Sequence, residues 1–178
     1  MKTVNDIDWT RWEPQQRATL LFVIEGNRVL LIHKKRGLGA GKINGPGGRL
    51  EPGETPLAAA VREVQEELCI TTGDITYSGE LSFQFVDGLS IHCTVFRAAS
   101  YDGEPQETDE AIPLWTDLDK IPYDRMWTDD RYWIPLMLNH TRFKGWFIFD
   151  GERMLDHLLE TSSIVSRSRR PFSSAGGR

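Results

Sequence analysis

Residues 48–70 read GRLEPGETPLAAAVREVQEELCI, and their spacing predicts an amphipathic helix with its acids gathered on one side. At about 100° per residue, Leu57, Val61, Val64 and Leu68 share a narrow apolar stripe, while Glu63, Glu66 and Glu67 collect about 130° away. The apolar stripe is expected to pack and the acidic stripe to face out of the core. Like charges at i, i+3 and i+4 repel one another, so the cluster calls for a cation, and hard oxygen donors suit Mg²⁺ or Mn²⁺. The plain alternative is a solvated acidic face.

The flanks of this helix are legible too. Thr55-Pro56 reads as an N-cap and first helical residue, because the hydroxyl accepts an orphan N–H and proline loses nothing there. Upstream, Asn44-Gly45-Pro46-Gly47-Gly48 lets the backbone approach a ligand that a Cβ would obstruct.

The rest of the chain bounds the function. Its 178 residues suffice for one domain with a sizeable core. A net charge of -5 argues against blanket phosphate neutralisation, so no stable nucleic-acid partner is expected. Two cysteines, Cys69 and Cys93, make no disulfide framework and suit a reducing compartment. The start, MKTVNDIDW, has no hydrophobic segment and no apolar run is long enough to span a membrane, which makes the cytoplasm the expected location. The histidines at 33, 92, 140 and 157 show no metal-ligand spacing.

Residues 1–16 read as an extension that packs by Trp9 and Trp12 or stays loose, 17–160 as the catalytic domain, and 161–178 as a disordered basic tail. Within the domain, Arg17–Ile24 and Arg28–Lys34 predict a hairpin, and Ile75–Val86 with Ser90–Ala99 a second one across Asp87-Gly88. Phe83 and Phe85 share one face of a strand, either as core or as pocket wall. Further strands are expected at Ile112–Trp115, Gly145–Phe149 and Glu152–Leu159. A helix from about Thr128 to Asn139 is expected to bend or break near Pro135.

The pattern G-x5-E-x7-R-E-U-x-E-E-x-G-U, with U aliphatic, is met by Gly48, Glu54, Arg62, Glu63, Val64, Glu66, Glu67 and Ile70. In this the chain resembles the Nudix hydrolases. Cys69 stands where that family carries a late glycine; a non-glycine residue in a left-handed turn costs about 1 kcal/mol, and the position supplies no ligand. Outside the motif the chain is similar to the oxidised purine nucleoside triphosphatases, the MutT homologues that hydrolyse 8-oxo-dGTP. This second resemblance rests on HKKRGLGAGKINGPGG (His33–Gly48), on Phe83–Phe85, on ETDE (Glu107–Glu110) and above all on MWTDDRYWIPLML (Met126–Leu138).

The resemblance implies a Nudix α/β/α sandwich, a mixed sheet between helices. It implies metal ligation by Glu63, Glu66 and Glu67 with the Gly47 carbonyl and Glu110. Arg62, Glu63 and Glu67 would be catalytic, with Arg62 orienting Glu63 and Glu54, and either Glu63 or Glu110 taking the proton from water. Thr19, Lys34, Asn44, Pro46, Gly48, Arg49, Phe83, Trp127, Asp129 and Asp130 would bind the nucleotide. Leu38, Ile43 and Pro46 stand where the family carries aromatics.

Physical chemistry supports the Asp129-Asp130 assignment. Two adjacent carboxyls in an apolar pocket cannot both ionise cheaply, so the pair offers one donor and one acceptor, as the Asn44 amide also does. The alternative is that the two aspartates merely cap the following helix.

The function expected is Mg²⁺-dependent hydrolysis of 8-oxo-dGTP and 2-hydroxy-dATP to monophosphate and pyrophosphate by a monomer, which would cleanse the nucleotide pool. Two alternatives are a Nudix hydrolase of an NDP-sugar, a dinucleotide or an RNA end, and a non-catalytic sensor on the same scaffold. Intact Arg62, Glu63, Glu66 and Glu67 weigh against the sensor.

Overall fold

The computed structural model describes residues 1–162. In chain order the elements are β1 (Gln16–Glu25), β2 (Arg28–Lys34), β3 (Ile43–Asn44), β4 (Gly47–Arg49), α1 (Pro56–Leu68), β5 (Thr71–Phe85), β6 (Ser90–Asp102), β7 (Ala111–Asp117), α2 (Asp130–Leu138), β8 (Arg142–Asp150) and β9 (Arg153–Ser162). The nine strands form a sheet in the order β3-β2-β1-β6-β5-β8-β9, with β4 paired to β1 and β7 to β2. The sheet is mixed: β1–β6 and β5–β8 run parallel, and the remaining pairs antiparallel.

Alternation along β1 and β2 builds a layer on each face. Leu21 and Val23 of β1 and Leu30 and Ile32 of β2 pack in one cluster with Ala60, Val64 and Leu68 of α1. Their neighbours Phe22, Val29 and Leu31 point the other way, into a cluster with Trp133, Ile134 and Met137 of α2. Period-two side-chain alternation therefore places the sheet between the helices, which is the α/β/α sandwich expected.

In α1, the Thr55 hydroxyl accepts from the Ala58 N–H at 3.2 Å with Pro56 as first residue. Cys69 ends the helix at φ 61°, left-handed, with its N–H on the Gln65 carbonyl. Burial of Val64 and Leu68 contributes about 1.5–3 kcal/mol each. Two expectations for this helix are corrected. Leu57 is 47 % exposed, and the packed face is Ala59, Ala60, Val64 and Leu68. The acidic stripe does not simply face outward: Glu67 is only 4 % exposed.

The first hairpin is also different from its sequence reading. β1 and β2 pair only at Ile24–Val29 and Glu25–Arg28 beside the turn, then splay apart. Residues 43–49 fill the fork, with β3 bonded to Ile32 and His33 of β2 and β4 to Ala18, Thr19 and Leu20 of β1. The Leu21 N–H donates to the Pro46 carbonyl at 2.8 Å to seal the join. This wedge holds the glycine-rich loop at the centre of the fold.

At the edges, α2 starts at Asp130 rather than Thr128 and runs through Pro135 without interruption. The N-terminal segment is tied down: the Val4 N–H donates to Asp156 at 2.8 Å and the Trp12 indole to Gln84 at 2.8 Å. Thr161 and Ser162 belong to β9, opposite Phe143 and Arg142; the remainder of the segment read as a tail, 163–178, lies outside the described residues. No helix among the described residues is long and apolar enough to cross a membrane.

Candidate active site

The fork between β1 and β2 opens into a cavity of about 170 Å³. Of the residues singled out in the sequence, Thr19, Lys34, Asn44, Gly47, Gly48, Glu67, Phe83, Trp127, Asp129 and Asp130 all line it. They come from β1, β2, the 43–49 wedge, α1, β5 and the start of α2. Pro46, Arg49, Arg62, Glu63, Glu66 and Glu110 lie outside its wall.

One end of the cavity is aromatic and acidic. Asp129 and Asp130 are 3 % and 7 % exposed. Asp129 stands at the N-cap position of α2 but makes no side-chain capping bond; instead it accepts from the Trp133 indole N–H at 2.8 Å, while Asp130 lies in the first turn. Burial pushes both carboxyls above their ordinary range, Asp130 furthest because the Asp129 charge and a hydrogen bond to Asp129 add to it. The pair therefore holds one proton, donated by Asp130 to Asp129. Trp127 stands edge-on to Phe85 and Phe149 at 6.3 and 5.6 Å, and Lys42 lies 5.4 Å over the Trp127 ring. Thr19, fully buried in the wall, has a hydroxyl with no partner among the described residues, so a ligand that bonded to it would offset its desolvation.

The other end is carboxylate chemistry. Glu67 accepts from the Gly47 N–H at 2.9 Å, yet burial pushes its carboxyl up to about 8, with Glu63 and Glu110 adding to the shift. Lys34 is pushed the opposite way by its own burial, while Glu67, Glu110 and Glu63 hold its proton on. Arg62 organises the rest. Its Nε and Nη2 grip Glu54 at 2.7 and 2.8 Å, its Nη1 reaches Glu63 at 3.0 Å and Glu66 at 3.2 Å, and its Nη2 reaches the Arg49 carbonyl at 3.0 Å. This fork–fork geometry holds Glu54 down to about 2. Glu110 pairs with Arg36 at 3.0 Å, and Thr108 ties the same loop to the Glu67 carbonyl at 2.8 Å.

The glycines of the wedge serve the protein's own packing. A Cβ on Gly47 would enter the Thr19 carbonyl of β1, and one on Gly48 would enter the Glu63 carboxylate. The loop is glycine-rich because β1 and α1 close on it from two sides.

A hard divalent cation fits this donor set. Glu67 is a carboxylate raised by burial and, less, by its carboxylate neighbours, so positive charge beside it offsets that penalty, and Glu63 and Glu66 already converge on a cation in Arg62. Among the described residues, no three His, Cys, Asp or Glu side chains close into a ready-made ligand cage.

The NUDIX domain model matches residues 14–137, which takes in the fork, the carboxylate helix and the aspartate pair. The chain belongs to the Nudix family. It is 46 % identical over 146 residues to the oxidized purine nucleoside triphosphate hydrolase of Danio rerio, covering 80 % of this chain and 92 % of that one. It is 41 % identical over 145 residues to the Mus musculus protein of the same name, covering 79 % and 92 %. Among solved structures, the mutator MutT protein from Bacillus halodurans superposes with a TM-score of 0.73 at 26 % identity, over 82 % of this chain and 97 % of that one.

Some site residues of this Nudix chain escaped the sequence reading. Phe149 of β8 and Cys93 of β6 line the cavity, and burial pushes the Cys93 thiol up, leaving it a neutral filler. The signal for Phe149 was present as the alternation of Phe147 and Phe149 in GWFIF, but only the parallel pairing of β8 with β5 puts it beside Phe85. Of the three positions where the family carries aromatics, Leu38 sits in the cavity wall, Ile43 is core and Pro46 is part of the seal with β1.

Proposed function

We propose that this chain hydrolyses oxidised purine nucleoside triphosphates, 8-oxo-dGTP and 2-hydroxy-dATP, to the monophosphate and pyrophosphate, and so removes damaged precursors from the nucleotide pool. The observation that carries the reading is the buried Asp129–Asp130 pair sharing one proton at the aromatic end of a cavity whose other end is Glu67 and Lys34. A pair with one donor and one acceptor matches the edge of an oxidised or hydroxylated purine, and relocation of the shared proton between the two acids accommodates both. Asn44 and the Thr19 hydroxyl, unpaired among the described residues, supply the remaining polar contacts, and Trp127 and Phe83 the apolar walls.

The triphosphate would then lie toward Lys34 and α1. Glu63, Glu66 and Glu67, with the Gly47 carbonyl and Glu110, would hold Mg²⁺ or Mn²⁺, which supplies neutralisation of phosphate charge and a more acidic water. Arg62 holds Glu63 in position against Glu54 and the Arg49 carbonyl. Glu63 is half-buried and raised by that burial, which suits a group that takes a proton near neutral pH; Glu110 is the other candidate base. Lys34 meets phosphate charge from the cavity wall, and Arg49 from outside it. All these residues come from one chain, which fits a monomer, and the two free thiols fit the cytoplasm.

The test is pyrophosphate release with Mg²⁺ from 8-oxo-dGTP, 2-hydroxy-dATP, dGTP and an NDP-sugar in parallel. Preference for the two oxidised purines is expected. Equal or better cleavage of the NDP-sugar would keep the carboxylate chemistry and overturn the assignment of the base pocket.

A further inference from the structure

A second, smaller cavity of about 50 Å³ lies at the C-terminal end of α2, the opposite end from the aspartate pair. Its wall includes Arg97 of β6, Arg142 of β8, Ser78 and Thr76 of β5, and Thr141. This volume exceeds the ~30 Å³ share of a liquid water molecule and admits one small polyatomic ion.

Three observations make the cavity more than a gap. First, Arg97 is desolvated, and burial alone pulls its guanidinium below the usual value, with no carboxylate opposing it. Its Nη1 donates to the Met137 carbonyl at 2.7 Å and the Leu138 carbonyl at 3.4 Å, so it caps the C-terminal end of α2 and keeps further N–H groups for another acceptor. Second, Arg142 adds a second cation to the same wall, 5.6 Å over the Tyr77 ring, and among the described residues neither guanidinium forms an ion pair with a carboxylate. Of the two acids that flank this stretch of β5, Asp74 and Glu80, Glu80 is engaged by His92 at 3.5 Å and Lys144 at 3.4 Å, and neither lines the cavity. Third, the β5–β6 register slips between Tyr77 and Gly79, so Ser78 is an extra residue in the strand. Bulges of this kind re-aim a side chain, and here the buried Ser78 joins the cavity wall.

We propose that Arg97, Arg142 and Ser78 form an oxyanion site for a phosphate group, separate from the catalytic cavity. Two guanidiniums and hydroxyl donors in a small cavity match a tetrahedral oxyanion, whose lone pairs accept from planar N–H forks. Free orthophosphate and the phosphate end of a larger monoester share this chemistry.

The test is thermal unfolding and titration calorimetry of the full chain with inorganic phosphate and, separately, with glycerol phosphate, at constant ionic strength and without divalent cation. Wild type, Arg142→Ala, Ser78→Val and Lys34→Ala are compared. A saturable rise in Tm with matching heat is expected in wild type and in Lys34→Ala, with the half-saturating concentration raised about tenfold or more in Arg142→Ala, as expected for loss of a charged hydrogen-bond donor. Ser78→Val, which leaves both charges in place, is expected to weaken binding by a smaller factor. Saturation by orthophosphate alone would identify a free ion as the ligand, and saturation by both compounds a terminal phosphate. A linear, variant-independent rise would reflect salt exclusion and overturn the proposal. So would a response lost in Lys34→Ala and kept in Arg142→Ala, which would place the phosphate in the catalytic cavity.

Discussion

Replacing Glu67 by glutamine is expected to stabilise the metal-free protein, and to do so increasingly as pH rises. Burial and the neighbouring Glu63 and Glu110 raise the Glu67 carboxyl from 4.5 to about 8, so folding favours its protonated form. The stability this group contributes is complete below pH 4.5 and is lost as pH climbs through about 8. At pH 7 the unfolded chain has the carboxylate ionised about 2.5 units above its ordinary value, and at about 1.4 kcal/mol per unit the folded state is disfavoured by roughly 3 kcal/mol. At pH 5 the same reasoning leaves under about 1 kcal/mol. Glutamine keeps the oxygen that accepts from the Gly47 N–H and removes the titration. Urea unfolding in EDTA at pH 5, 6, 7 and 8 reads the difference between variant and wild type, and the raised aspartates cancel because both proteins carry them. With Mg²⁺ added, the order should reverse, since only the carboxylate gains from the ion. A difference that does not grow between pH 5 and pH 8, or a wild type that outlasts the variant at pH 8 in EDTA, would refute the reasoning.

Asp129→Asn removes one partner of the shared proton while keeping the acceptor for Trp133; kcat/KM for 8-oxo-dGTP should fall by about ten- to a hundredfold with a changed ranking among purines, and an unchanged ranking would count against base recognition there. In wild type, KM for oxidised purines should rise with pH as the raised pair loses its last proton, and a flat KM profile would contradict the shared-proton pocket. Cys69→Gly relieves a left-handed residue at φ 61° and should add about 0.5–1 kcal/mol by denaturant unfolding at unchanged kcat. Arg62→Lys cannot span Glu54, Glu63 and the Arg49 carbonyl at once, so kcat should fall and the Mg²⁺ concentration for half-activity should rise; unchanged metal dependence would show that Arg62 does not position Glu63.

What was legible in the chain was local. Thr55-Pro56 placed the start of α1 because capping is decided within four residues, and the turn at Asp87-Gly88 separated strands that do pair. What was hidden was non-local. The β1–β2 fork forms because residues 43–49 compete for the inner edges of both strands, and no periodicity within Arg17–Lys34 encodes a competitor that lies beyond it. The ends of β5 and β6 were missed because Thr71-Thr72-Gly73 and Ser100–Asp102 carry weak strand signals and are held by pairing with each other. On α1, Leu57 looked like core and Ala59 and Ala60 did not. Close approach of the helix to the sheet needs small side chains, and it leaves the first-turn leucine beyond the contact.

The site divides along the same line. Residue types and spacing singled out Glu67, Asp129 and Asp130, which the fold brings to one cavity, but their opposite requirements come from the fold. Asp129 and Asp130 sit among Trp127, Trp133 and Phe149, where the cheapest response to two buried acids is to keep a proton between them. Glu67 is buried as deeply, yet it faces Glu63 and Glu110 with Lys34 near, where a cation relieves more repulsion than one proton can. A single cavity thus holds two strained carboxylate groups, and under the proposed function a neutral purine edge would satisfy one and metal with phosphate the other. As pH rises the Asp pair loses its proton, while Glu67 must lose its own before it can bind a cation, so the two ends of the cavity make opposite demands on pH, and a nucleotide that brings both a base and metal-bound phosphates would relieve both penalties together.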